Sequence, residues 1–389
     1  MVKAQEMREP RLGEDDAYKG KKVLITGHTG FKGSWLTLWL TELGAHVYGY
    51  ALEPPTHPSL FEILGLEKVI EHELADIRDT RRLKEAIQRI KPDIVFHLAA
   101  QSLVGKSYID PFQTVEVNTL GTINLMEAVR QSGLALAMVL ITSDKCYENR
   151  EWLFGYREDD RLGGHDPYSA SKAASEILIN SWRKSFFNTA TLKDHGVRVA
   201  SARAGNVVGG GDWSKDRIVP DCIRDLQNQT YITVRNPYAT RPWQHVLEPL
   251  SGYLQLGRKL LEFSNEHVED FCEAFNFGPQ VTNNKSVRDV VEEIIENWGS
   301  GTWKWISPEK THHESSLLSL SIDKAYHKLH WFPKWTFDET IAHTVEWYQT
   351  ALQGPSHIYE FTVRQIKAYQ AHRSLFSQSS IAQEFKYNS

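Results

Sequence analysis

Three groups of residues in this 389-residue chain have the types and spacing to do chemistry. Tyr168 and Lys172 stand four apart, so on a helix they share one face, with Cβ atoms about 5 to 6 Å apart. A phenol, with an ordinary pKa of about 10, is a poor base at neutral pH. A neighbouring ammonium favours the phenolate and draws that pKa down. The second group is Thr142-Ser-Asp-Lys-Cys-Tyr147, in which Ser143, Asp144 and Lys145 offer a hydrogen-bond donor, a proton donor and an amine base. The third is Gly27-His-Thr-Gly-Phe-Lys-Gly33, a G-x-x-G-x-x-G spacing. Glycines so placed permit a tight turn and let backbone approach a pyrophosphate resting on a helix N-terminus. Gly27, Thr29, Gly30, Phe31, Lys32 and Gly33 are therefore the candidate cradle of a dinucleotide.

Each group needs elements to position it. The run Lys22 to Thr26 is apolar and ends at Gly27, as a buried parallel strand does, and Trp35 to Leu43, closed by Gly44, reads as an amphipathic helix. Strands are then expected over His46–Tyr50, Ile94–Leu98, Ala137–Thr142 and Val197–Ala202. Helices are expected over Arg81–Ile90, Val117–Ser132 and Tyr168–Phe187. Such alternation predicts an α/β fold with a Rossmann-type, doubly wound parallel sheet. Asp76-Ile77, Ala99-Ala100-Gln101 and Thr142 then fall at strand ends, with Asn118 opening a helix, and together they trace a cofactor groove. Glu53 is the nearest acid for a ribose, and no Arg or Lys occupies 50–55 to meet a 2′-phosphate, which favours NAD.

Beyond Arg203 the period weakens. Gly205 to Asp216 reads as a loop, followed by helices at 218–228, 246–263 and 286–298 and strand-like runs at 232–235 and 275–277. The expected organisation is an extension over 1–20 and a dinucleotide-binding domain over 21–205, with roughly 231–262 crossing back to it. A smaller α+β substrate lobe over 206–355 and a tail over 356–389 complete it. Acidic residues outnumber basic ones 49 to 44 and no basic stretch interrupts them, which argues against nucleic-acid binding. The longest apolar run, Leu134 to Ile141, is far short of the ~18 residues of a membrane span. The polar start lacks a secretory h-region, and three scattered cysteines make neither a disulfide framework nor a metal cage. A cytoplasmic, metal-free protein is the expectation.

These motifs resemble the extended short-chain dehydrogenase/reductase family over about residues 21–350, through the glycine turn, Asp76-Ile77, His97-Leu-Ala-Ala100, Tyr168 and Lys172. Longer markers resemble its branch that dehydrates CDP-hexoses. They include His28-Thr-Gly-Phe-Lys-Gly-Ser-Trp35, Pro55-Thr-His-Pro-Ser-Leu-Phe61, Gly163-Gly-His-Asp-Pro-Tyr168, Arg203 to Trp213 and Arg241 to Pro249. Relatives acting on dTDP-sugars typically carry Thr-Asp-Glu at Ser143-Asp144-Lys145. The resemblance implies tightly bound NAD, oxidation at the sugar C4, loss of water across C5–C6 and return of hydride to C6. Tyr168 would be the first base, Ser143 would hold O4, Lys172 would hold the NAD ribose and lower the Tyr168 pKa, and Asp144 would protonate the leaving hydroxyl. Lys145 or a nearby group would take the C5 proton. Asn206, Arg217, Arg235, Arg241 and His313 match positions that hold the nucleotide diphosphate and sugar, and a homodimer is implied. The stretch His312 to Leu320 departs from the family pattern, which has Pro before His-Glu and Ala-His-Tyr after it. Two alternatives stand beside a dehydratase of CDP-hexose or of another nucleotide hexose. A nucleotide-sugar epimerase shares Tyr168 and Lys172 but does not need Asp144 and Lys145, and a redox-sensing binding protein usually lacks the Tyr/Lys pair.

Overall fold

The structure is a computed structural model that describes residues 14–262, 268–306, 317–354 and 357–372. His313, residues 1–13 of the expected extension and 373–389 of the expected tail lie outside the described residues. The expected parallel sheet forms from seven strands: β1 (Lys22–Thr26), β2 (His46–Ala51), β3 (Glu71–Leu74), β4 (Ile94–His97), β5 (Ala137–Ile141), β6 (Arg198–Ala204) and β7 (Ala274–Phe277). Their order is β7-β6-β5-β4-β1-β2-β3, with every pairing parallel. The chain therefore reverses direction of travel across the sheet between β1 and β4, and a crevice opens there at the strand carboxyl ends. β4, β5 and β6 are buried at every residue, as strands covered on both faces must be.

Helices α1 (Phe31–Glu42), α2 (Thr80–Ile90), α3 (Gly121–Ser132) and α4 (Pro167–Ser185) supply four of the six crossovers. Helix α1 is not amphipathic as expected: Gly33 through Leu40 are all buried. A helix apolar on every side is covered on every side. Its outer face is closed by a helix over Ile358–Ala371, where Tyr369 meets Trp39 edge-on at 5.8 Å. Part of the expected tail is thus packed structure. Likewise, the end of the expected loose extension is docked, with the buried Tyr18 donating to the Leu254 carbonyl at 2.6 Å.

The later residues divide between the sheet and separate pairings. Leu247–Leu261 forms a helix whose Tyr253, Leu250 and Leu254 enter the main core, and β7 joins the sheet from beyond it. Ile232–Val234 instead pairs with Trp303–Trp305, outside the main sheet. Thr240–Pro242 with Asn284–Ser286 and Gln244–His245 with Val207–Val208 make two further short pairs. No helix among the described residues is long and apolar enough to cross a membrane.

Candidate active site

The cradle after β1 is built by close approach. Gly27 has φ +79°, and a Cβ there would lie 2.6 Å from the Ala99 backbone nitrogen, so the turn packs against the chain leaving β4. A Cβ on Gly33 would sit 2.1 Å from the Gly27 carbonyl oxygen, which is why α1 can start so close to the turn. Gly30 is the N-cap, makes no side-chain cap, and its missing Cβ would meet only the Gly27 oxygen at 3.4 Å. An uncapped first turn over open space fits a dinucleotide pyrophosphate. The Thr29 hydroxyl donates to the Leu52 carbonyl at 2.9 Å, and Phe31 packs beneath Gly209. Lys32 turns inward: its ammonium is 3.4 Å from the Tyr253 hydroxyl, and burial, with Arg217 next, lowers its pKa to about 8.

Several expected cofactor residues are engaged inside the protein. Asn118 accepts from the Gln101 N–H at 2.8 Å and donates to the Gln101 carbonyl at 3.0 Å and the Ser171 hydroxyl at 2.9 Å. It thereby ties the chain beyond β4 to α4. The Gln101 amide is taken up by Leu103 and Thr114, and the Thr142 hydroxyl by Glu176. Asp76 is gripped by Arg78 at 2.7 Å, which holds its carboxyl below the usual range, while Ile77 packs under Gly121. Ala99 donates its N–H to Thr26 Oγ1 at 3.3 Å, and Ala100 follows it past the turn.

Helix α4 starts where Asp166 accepts from the Ser169 N–H at 2.9 Å, with Pro167 in the first turn. That start places Tyr168 at the cleft and Lys172 one turn on, both buried. Gly164 passes so close that a Cβ would lie 2.1 Å from the Ala170 nitrogen, which accounts for the glycines before Asp166. Asp144 and Lys145 lie in the 3₁₀ turn Asp144–Cys146 after β5, with Ser143 as its N-cap. Ser143 donates to Asp144 at 2.9 Å and lowers the Tyr168 pKa, and the Lys145 ammonium stands 4.0 Å from Asp144. Two expected sets from different elements thus converge.

The electrostatics differ from expectation in one respect. Burial pushes the Tyr168 phenol up to about 12, against the lowering effects of the Ser143 hydrogen bond and the Arg217 charge. Lys172, expected to lower it, is itself brought down to about 8 by burial, with Glu176 pulling the other way. Desolvation dominates both shifts because both groups are enclosed.

Of the expected substrate residues, Arg217 reaches this centre: it pairs with Asp212 at 2.8 Å and its charge acts on Tyr168 and Lys32. Asn206 follows Gly205, where a Cβ would be 3.0 Å from Asp144 Oδ2. Arg235 pairs with Asp216 at 2.9 Å on the exposed surface, and Arg241 lies on the Thr240–Pro242 strand and donates to the Thr240 carbonyl. The sequence reading passed over Glu176, buried beneath the site. Its signal was its place four residues beyond Lys172 on one inward helical face.

A glycine cradle at the switch point of a parallel sheet, beside a Tyr/Lys helix and an acid–amine turn, defines a nucleotide-sugar enzyme of the short-chain dehydrogenase/reductase type. The chain belongs to the family described as GDP-mannose 4,6 dehydratase, which matches residues 24–344. It is 49% identical over 338 residues to CDP-glucose 4,6-dehydratase of Salmonella typhimurium, covering 87% of this chain and 93% of that one. In fold it is similar to dTDP-glucose 4,6-dehydratase of Bacillus anthracis in complex with NAD, with a TM-score of 0.71, 19% identity and coverage of 86% and 98%. It is also similar to the UDP-glucose 4-epimerase of Thermus thermophilus in complex with NAD, with a TM-score of 0.70, 24% identity and coverage of 85% and 99%.

Proposed function

We propose that this chain is an NAD-dependent lyase that converts CDP-D-glucose to CDP-4-dehydro-6-deoxy-D-glucose and water. The observation that carries the reading is the Asp144–Lys145 pair, 4.0 Å apart, with the Asp144 charge acting on the Tyr168 phenol; an epimerase would not need that pair. The 49% identical relative, a CDP-glucose 4,6-dehydratase, supports the substrate. Gly27 to Gly33 would hold the NAD pyrophosphate, and Lys172 its ribose. Held there, NAD would supply the hydride acceptor for C4 and the hydride donor for C6.

The protein's own groups divide the proton work. Tyr168 takes the O4 proton while Ser143 holds that oxygen. The resulting ketone acidifies C5–H, and Asp144 protonates the departing C6 hydroxyl. Lys145, a quarter exposed and beside Asp144, or a neighbouring group takes the C5 proton. Arg217 neutralises diphosphate or orients the sugar, with Asn206, Arg235, Arg241 and His313 completing the substrate set. We read 21–205 as the cofactor domain and 206–355 as mainly the substrate lobe, supported by the short strand pairs of the latter. A cytoplasmic homodimer is part of the reading. Its supports are three free, buried thiols and the exposed apolar side chains of Ile109, Phe112, Leu120 and Ile177. The test incubates the protein with CDP-, dTDP-, GDP- and UDP-glucose and identifies the products. A 4-keto-6-deoxy sugar from CDP-glucose is expected; a C4 epimer, or no 6-deoxy product, overturns the reading.

A further inference from the structure

The catalytic turn is held from below by an ion pair that no step of the chemistry uses. Glu176 and Arg203 meet at 2.8 Å with side chains only 1% and 5% exposed. Burying two charges carries a desolvation cost that their attraction must first repay, so such a pair is weak as a stability device. What distinguishes this one is what its hydrogen bonds hold.

Glu176 Oε1 accepts from the Thr142 hydroxyl at 2.5 Å, and Thr142 is the residue just before Ser143. Glu176 Oε2 accepts from the Ser201 hydroxyl at 2.9 Å as well as from Arg203. Arg203 Nη1 donates to the Tyr147 hydroxyl at 2.7 Å and to the Glu158 carbonyl at 2.8 Å. Tyr147 closes the 3₁₀ turn Asp144–Cys146 at its far end, and its hydroxyl donates onward to Asn276 of β7 at 2.7 Å. The pair therefore grips the turn through Thr142, the residue before its Ser143 cap, and through Tyr147, the residue after it. Glu176 belongs to α4, two turns beyond Tyr168 and one beyond Lys172.

We propose that Glu176 and Arg203 are positioning residues that lock the Asp144–Lys145 turn in register with the Tyr168–Lys172 helix, so that oxidation at C4 and water loss at C5–C6 act on one sugar pose. A three-residue 3₁₀ turn has little stiffness of its own, whereas the two chemical steps need their groups within a fraction of an ångström of the same substrate atoms. A carboxylate and a guanidinium spanning β5, β6, β7 and α4 supply that stiffness. The inference rests on the dehydratase reading.

The experiment cuts each strap while leaving the ion pair in place. Thr142→Val and Tyr147→Phe are compared with wild type in single turnovers on CDP-glucose with NAD. NADH absorbance reports C4 oxidation, and product analysis separates the 4-keto sugar from the 4-keto-6-deoxy sugar. Each variant is expected to slow water loss about 10- to 100-fold more than oxidation, so NADH and the 4-keto sugar build up. Thr142→Ser, which keeps the hydroxyl, restores the wild-type partition. A purely structural role lowers the melting temperature and slows both steps in equal proportion; that result, or an unchanged partition in Thr142→Val, overturns the proposal. Thr142→Val alone suffices if Tyr147→Phe does not fold. Failure of the dehydratase reading is separately visible, because the wild type would then make no 6-deoxy sugar.

Discussion

The two halves of the chemistry are held in different ways. Tyr168 and Lys172 sit on a 19-residue helix, and their spacing follows from helical rise and pitch once Asp166 and Pro167 define its start. Asp144 and Lys145 sit on a single 3₁₀ turn capped by Ser143, whose hydroxyl donates to Asp144 and accepts from the Lys145 N–H, but nothing within the turn fixes its register with α4. Their placement comes from Thr142 and Tyr147, which reach into a buried network contributed by β6, β7 and α4. A helix thus gives precision within one element, and a turn acquires it only from tertiary structure.

The sharpest way to break this comparison is to strip the turn and leave the helix intact. In Asp144→Asn/Lys145→Ala, each lost proton-transfer group should slow water loss by about 10²- to 10⁴-fold. C4 oxidation should persist, so NADH accumulates during a single turnover on CDP-glucose. Near-normal dehydration would show that the turn has been given the wrong role. Stripping the helix should act earlier. Tyr168→Phe removes one oxygen and with it the first base, so turnover should fall by about 10²- to 10⁴-fold without NADH formation. Nucleotide-sugar binding, measured by calorimetry, should stay close to wild type.

A smaller effect separates the cradle's two glycines. Position 30 has room in the protein for a side chain and an ordinary φ of −78°, so Gly30→Val should fold and lose about tenfold or more in NAD affinity. Gly33→Ala should instead lose folded protein, because its Cβ would collide with the Gly27 oxygen. Titration of both variants with NAD and their melting curves distinguish the outcomes; wild-type affinity in Gly30→Val removes the basis for the cofactor assignment.

The smallest effect concerns a buried carboxyl away from the chemistry. Burial raises the Glu248 pKa to about 7, although the Tyr369 hydroxyl at 2.6 Å and the N–H groups of Lys334 and Trp335 favour its anion. In the unfolded chain it would ionise near the usual value of about 4.3. Its neutral form is therefore favoured by folding. That contribution is complete below about 4.3 and is lost as pH rises through about 7, worth about 4 kcal/mol at most. Between pH 5 and 8 the melting temperature of wild type should fall by a few degrees relative to that of Glu248→Gln. Parallel pH profiles would mean that Glu248 is ionised in the fold throughout.

Much of the first half was legible because its signals are local. The apolar run of β1, the glycine turn and the Asp166-Pro167 helix start each declare themselves within a few residues. Other features were not. Helix α1 looked amphipathic because the helix that covers its second face lies more than 300 residues away in sequence. The Asn118 amide ties the Gln101 main chain to α4, and the Gln101 amide is held by Leu103 and Thr114, contacts that no local pattern announces. The residues 116–120 around Asn118 form a π turn leading into α3, where a continuous α-helix was expected from Val117.

By itself the sequence determined the order of strands and helices, the glycine cradle and the Tyr168–Lys172 spacing, because each depends on contacts between residues close in the chain. Tertiary structure alone decided that Ala274–Phe277 would be the seventh strand and that Lys32 would turn inward to Tyr253. It also decided that Glu176 would sit beneath the catalytic turn with Arg203 as its partner. The Tyr168 phenol shows the same division. Its neighbour four residues on was readable, but its pKa is set by enclosure, and enclosure is a sum over groups from many elements that no local pattern encodes.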